Sequence, residues 1–156
     1  MKTGRLQKRT RGGSIIEFAL LLPWILFLFV GAFDWGFYAH ALISTEDATR
    51  VATLYAANLS NGNPKTSTAC TLVLNELSVA PNVAGVSTCT TGAVTSSAPV
   101  GVSLTCTTLD SVNAVQTAVT YQTVSLIPIP GLLAGQMTLH RTAEMPMNKN
   151  SSCTVS

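Results

Sequence analysis

Residues 15–33 form an apolar run broken only by Glu17 and Pro23. No other feature of the chain restricts its fold as much. At about 1.5 Å per residue, a helix over this run is about 28 Å long, close to the roughly 30 Å hydrocarbon core of a bilayer. Trp35 and Tyr38 follow where interfacial aromatic side chains anchor a membrane helix. Upstream, Lys2, Arg5, Lys8, Arg9 and Arg11 place five of the nine basic residues before the run, with no acid among them. Such a cluster keeps its end of a helix cytoplasmic. A secretory signal has a shorter apolar core and a small-residue cleavage site behind it, and no A-x-A sequence closes this run before Phe33. The run therefore predicts one membrane-spanning helix over residues 13–39, behind a basic segment of residues 1–12.

Three residues of that helix break its apolar character. Pro23 has no N–H for the helical ladder, but membrane helices tolerate this because neighbours recover the freed groups. Asp34 ends the run at the outer interface, where it need not be buried. Glu17 is the only acid in the first thirty-three residues, and it sits at the mouth of the span. A carboxylate at that depth is costly, so it requires a partner or a function.

Composition then bounds the rest. Apolar residues make up 47% of the chain and charged residues 10%, a low charge content for a soluble domain. Without the first twelve residues, four basic residues face seven acidic ones, a balance of −3. The basic isoelectric point of about 8.4 thus belongs to the N-terminal segment, and no nucleic-acid partner is expected. Cys70, Cys89, Cys106 and Cys153 all follow the helix, on the outer side, where an even count reads as disulfides. No C-x-x-C pair occurs and neither histidine lies near a cysteine in sequence, so no zinc site is expected. Four cysteines allow three pairings, and the sequence alone does not choose. A hairpin joining Cys89 to Cys106, which leaves Cys70 with Cys153, is the preferred expectation.

Beyond the membrane the helix continues through residues 40–62. Ala41, Ala48, Ala52, Tyr55 and Leu59 recur on one helical face, and the sequence Asn-Leu-Ser-Asn-Gly-Asn-Pro ends it. A second helix is predicted over residues 67–78, with Leu72, Leu74 and Leu77 as buried candidates. From Val79 onward Thr, Ser and Val dominate, and strands are predicted at residues 84–90, 100–107, 115–126 and 136–146. The last has the clearest period of two: Met137, Leu139, Ala143 and Met145 alternate with Thr138, His140, Thr142 and Glu144, with Arg141 interrupting the apolar side. The fold class is α+β: a long N-terminal membrane helix extends into a small extracytoplasmic domain, residues 63–147, with an antiparallel sheet. A polar tail, residues 148–156, follows. No nucleophile–base motif surrounds His40 or His140, and no G-x-S-x-G elbow accompanies the serines, so the chain is not read as an enzyme and no cofactor is implied.

Four separated stretches share one resemblance. The first is Arg11-Gly-Gly-Ser-Ile-Ile-Glu-Phe-Ala-Leu-Leu-Leu-Pro23, and the second is Phe33-Asp-Trp-Gly-Phe-Tyr38. The third is Asp47-Ala-Thr-Arg-Val-Ala-Thr-Leu-Tyr-Ala-Ala57. The fourth runs from Val119-Thr-Tyr121 through Ile127-Pro-Ile-Pro-Gly-Leu-Leu133 to Met137-Thr-Leu-His-Arg-Thr-Ala-Glu-Met145. In order and spacing they resemble the TadE-like minor pilins, or pseudopilins, of the tight-adherence (Tad/Flp) pilus system. The opening resembles the class III signal of type IV pilins.

That resemblance implies cleavage by a prepilin peptidase between Gly12 and Gly13, which puts Glu17 at the fifth mature position. Glu17 and Phe18 would serve recognition during processing and assembly. Implied partners are the prepilin peptidase, other minor and major pilins, the inner-membrane assembly platform and the bilayer. The implied location is the bacterial inner membrane, single-pass with the C-terminal domain periplasmic, or the pilus itself. Ile127, Ile129, Leu132 and Leu133 form an apolar loop that either packs on the core or contacts another subunit. The alternative is an uncleaved, membrane-anchored binding module. A Flp-type major pilin is little more than the N-terminal helix and is disfavoured by size. The terminal strand–loop–strand argues against a type II secretion pseudopilin.

Overall fold

The computed structural model describes residues 13–59, 63–124, 136–147 and 153–156. Residues 1–12, the centre of the breaker cluster, the apolar loop holding Ile127, Ile129, Leu132 and Leu133, and most of the polar tail lie outside them. The chain divides into two units, Met1–Phe37 and Tyr38–Ser156. Helix α1 (Gly13–Ala57) supplies the described part of the first and opens the second.

In the first unit α1 runs through Pro23. Ile15, Phe18, Leu20, Trp24, Leu28 and Phe29 are all at least 60% exposed, an all-round apolar surface that water does not stabilise. Phe33 and Phe37 meet edge to face at 4.9 Å. Asp34 corrects the sequence reading. It is only 6% exposed, and its Oδ2 has no hydrogen-bond partner. Position at the end of an apolar run does not determine burial on its own.

In the second unit α1 presents two parallel stripes to the core. Ala48, Ala52 and Ala56 form one; the first two are on the predicted face, whose Ala41, Tyr55 and Leu59 are only partly buried. Thr45, Thr49 and Thr53 form the other, each at most 1% exposed. Their hydroxyls donate to the carbonyls of Ala41, Thr45 and Thr49, each at 2.7 Å. Burying a hydroxyl is tolerable only when it is hydrogen-bonded. Here the preceding turn supplies the acceptor. A search for apolar spacing misses such residues.

Helix α2 (Thr66–Glu76) continues into a 3-10 turn, Leu77–Val79, close to the predicted 67–78. Val73, Leu74 and Leu77 are buried, and Leu72 only partly. Strands β1 (Val100–Leu109), β2 (Val112–Gln122) and β3 (Thr138–Pro146) form one antiparallel sheet in the order β1-β2-β3. Leu109 pairs with Val112 across a two-residue turn in which Asp110 and Ser111 have φ of 49° and 66°. Positive φ at both central residues matches the right-handed twist of a hairpin. One sheet face carries Val100, Val102, Leu104, Val115, Val119, Tyr121 and Leu139 into the same core as the α1 alanines.

Residues 84–90 do not form the predicted strand. Turns at Val83 and Val86 and a positive φ of 84° at Gly85 bend the segment, and only Thr90 bridges to Gly101. The segment runs close to the β1 edge: a Cβ on Gly101 would lie 3.2 Å from Val94 Cγ1 and 3.4 Å from the Thr90 carbonyl. Asn82 fastens the turn to the sheet. Its amide donates to the Gln122 carbonyl at 2.6 Å, and its Oδ1 accepts from the Tyr121 hydroxyl at 2.6 Å.

Burial raises the Tyr121 pKa above its ordinary value of 10.0, because desolvation disfavours the phenolate. A raised folded-state pKa gives stability that is complete below pH 10.0 and is lost as pH rises through the folded value. Tyr121→Phe is expected to remove this alkaline loss and to cost about 1–2 kcal/mol at neutral pH, through the orphaned Asn82 oxygen. Denaturant unfolding at pH 7 and above pH 10 measures both effects. Equal stability of the two proteins at pH 7 would rule out a contribution from that hydrogen bond.

The disulfides are Cys70–Cys89 and Cys106–Cys153, not the expected Cys89–Cys106 and Cys70–Cys153. The physical reason is distance along β1. Thr90 lies beside Gly101, whereas Cys106 is five residues further along, about 17 Å at roughly 3.3 Å per residue. That exceeds the Cα separation of about 7 Å that a disulfide spans. The same register puts Cys89 within reach of Cys70 on α2.

Candidate functional site

The site that the sequence singles out is the start of α1. The described part of α1 begins at Gly13, the residue expected to become the N-terminus. Glu17 lies one turn inside it, exposed, and no described residue makes a hydrogen bond or ion pair with it. Phe18 is 60% exposed beside it. Among the described residues, therefore, nothing compensates a carboxylate that would enter the apolar phase with the helix. Ile15–Ala57 contains a stretch long and apolar enough to cross a membrane, and none of its most apolar window is buried. One such helix near the N-terminus is consistent with a single-pass anchor.

The other candidates fall elsewhere. His40 lies on the exposed side of α1, its Nδ1 3.4 Å from the Ser44 hydroxyl. His140 lies exposed on β3. They share no site. Among the described residues no group of His, Cys, Asp and Glu could hold a metal ion. The cysteines that the sequence marked are all in disulfides.

Two residues matter more than the sequence indicated. Asp34 is a buried acid on α1. Arg141 is a cation on the helix-facing side of β3. It lines a groove of about 310 Å³ with Glu46, Thr49, Arg50, Thr142 and Ala143. Glu46 in that groove is already paired with Arg50 on the next turn. The interruption of the β3 alternation at Arg141 was the available signal.

A lone glutamate near the described start of α1 and a bare apolar surface after it are consistent with a membrane anchor. Residues 12–53 match the family model described as TadE-like protein. Over those residues the chain is similar to TadE-like proteins. The match begins at Gly12 and ends within the threonine stripe of α1; the sheet domain lies outside it. No curated protein and no solved structure matches the chain.

Proposed function

We propose that this protein is a minor pilin of a Tad-type pilus. A prepilin peptidase processes it between Gly12 and Gly13, and it acts in assembly or priming of the filament. The observation that carries this reading is the coincidence of the TadE-like match with a long apolar helix that holds Glu17 near its described start, compensated by no described residue. Removal of the basic leader leaves a free amine at Gly13, protonated at neutral pH. The amine of a neighbouring subunit would then meet Glu17, offset its desolvation and fix the axial register between subunits. The extracytoplasmic domain lies in the periplasm in this reading, and the helix anchors the subunit before assembly. Its partners are the peptidase, other pilins and the assembly platform.

The test is the intact mass of the protein expressed with and without a Tad-type prepilin peptidase. The expected result is a chain starting at Gly13 only when the peptidase is present. A chain uncut in both cases would overturn the proposal and favour an anchored binding module.

A further inference from the structure

The two edges of the sheet are not equivalent. Gln122 N–H donates to the Pro99 carbonyl, so odd residues of β1 bond inward to β2 and even ones face outward. Thr90 occupies two of those outward groups, donating to the Val100 carbonyl at 3.0 Å and accepting from Val102 N–H at 3.1 Å. On the other side, Met147 N–H donates to Asn113 and Thr123 N–H to Met137. In the β2–β3 register these bonds turn the odd residues of β3 inward. Thr138, His140, Thr142 and Glu144 therefore direct their N–H and carbonyl groups away from the sheet. Among the described residues no backbone group of another segment pairs with them along that edge; the one contact is the Arg141 guanidinium on the His140 carbonyl at 3.4 Å.

Natural sheets block such an edge with lysine, an interior proline, a bulge or a covering segment. β3 has no lysine and no bulge in its register, and its only proline is its last residue, Pro146. Beside this edge sits the groove holding Arg141. That guanidinium lies on the face shared with Leu139, Ala143 and Met145; among the described residues it reaches only the His140 carbonyl, at 3.4 Å, and makes no ion pair. Glu46, the nearby acid, is held by Arg50.

We propose that the free edge of β3 accepts an extended segment of another pilus subunit, which places a carboxylate side chain against Arg141. Strand addition satisfies the outward backbone groups, and the carboxylate satisfies the cation. In a directly opposed pair the side chains share a face, so the acid stands beside Arg141 with apolar residues two positions away, beside Leu139 and Ala143. The identity of the partner as a pilus subunit rests on the function proposed above.

The test uses the full-length protein in membranes of cells that assemble the pilus, with a photo-cross-linking residue in place of His140. The expected product joins this chain to another pilus subunit, mapped to an extended segment whose acidic residue lies opposite Arg141. Thr142→Pro removes an outward N–H without touching the β2 ladder, and Arg141→Glu reverses the charge. Each is expected to lower that product at least tenfold while both disulfides and protease resistance persist. Arg141→Lys should retain most of it. Ala143→Pro, which removes an inward N–H, should instead reduce folded protein. An undiminished cross-link in Thr142→Pro, or one confined to a single chain, would overturn the proposal. Failure of the pilus reading shows separately, as a chain that stays unprocessed. The cross-link then still decides whether the edge takes an acid-bearing strand from another chain.

Discussion

A Glu17→Ala chain is expected to be processed at Gly12 and to reach the membrane at the parent level, yet to yield less than about a hundredth of the assembled pilus. The argument starts from the helix. The surroundings of Glu17 on α1 are Ile15, Ile16, Phe18, Leu20 and Leu21, all exposed in the single chain. Packing such helices side by side buries those apolar surfaces and carries the carboxylate with them. A buried ion pair missing one partner costs about 3–5 kcal/mol, because the remaining charge is left uncompensated. In Glu17→Ala that remaining charge is the amine of Gly13 in the neighbouring subunit. At about 1.4 kcal/mol per tenfold, the loss per contact is two orders of magnitude or more. Glu17→Gln separates charge from shape: it keeps the side-chain volume and should fail nearly as badly. Sheared filaments quantified against membrane-bound subunit measure the effect. Full piliation by Glu17→Ala would rule out the pairing. Poor cleavage would place Glu17 in peptidase recognition instead.

The sequence made the long apolar helix legible because that helix is dictated by one local quantity, the continuous apolarity of residues 15–33. β3 was legible for a similar reason: its side chains alternate between core and solvent, and the alternation is written in adjacent residues. The threonine stripe was not, since Thr45, Thr49 and Thr53 become core residues only by donating to carbonyls of the preceding turn. Nor was the failed strand at 84–90. Val86, Thr88 and Thr90 suit a strand, but Gly85 turns the chain and Cys89 is tied to α2. The disulfide pairing depends on where Cys106 falls along β1 relative to Thr90, a long-range register that spacing does not encode. Arg141 was visible as an exception to the pattern, but its meaning depends on which edge of the sheet is left open. The start of α1 is the opposite case. Glycine, glutamate and helix lie within one short segment, so the candidate assembly site could be read locally.

Removing the Cys106–Cys153 disulfide should destabilise the domain more than removing Cys70–Cys89. The two links span 47 and 19 residues. Loop-closure entropy in the unfolded chain gives about 4 kcal/mol for the longer and about 3 kcal/mol for the shorter. The structure adds a second term to the longer one. Cys153 begins the segment whose last residue, Ser156, accepts from Thr66 N–H at 3.0 Å and donates to the Pro64 carbonyl at 3.3 Å. Those bonds satisfy a donor at the start of α2, where Lys65 provides no side-chain cap. Without the anchor at Cys106 the segment must be ordered anew at each folding event, so the bonds at residues 64–66 weaken along with the covalent link. Against a total stability of about 5–15 kcal/mol for a domain, a loss of 4 kcal/mol is large. The thermal midpoint of Cys106→Ala/Cys153→Ala should fall by roughly 15 °C or more. The fall for Cys70→Ala/Cys89→Ala should be several degrees smaller. Non-reducing peptide mapping of the parent tests the pairing itself, and a peptide joining Cys89 to Cys106 would contradict the register of β1 against residue 90. Equal thermal shifts for the two double variants would mean that the terminal segment contributes nothing beyond the covalent link, and that unfolded-state entropy overstates the difference between the loops.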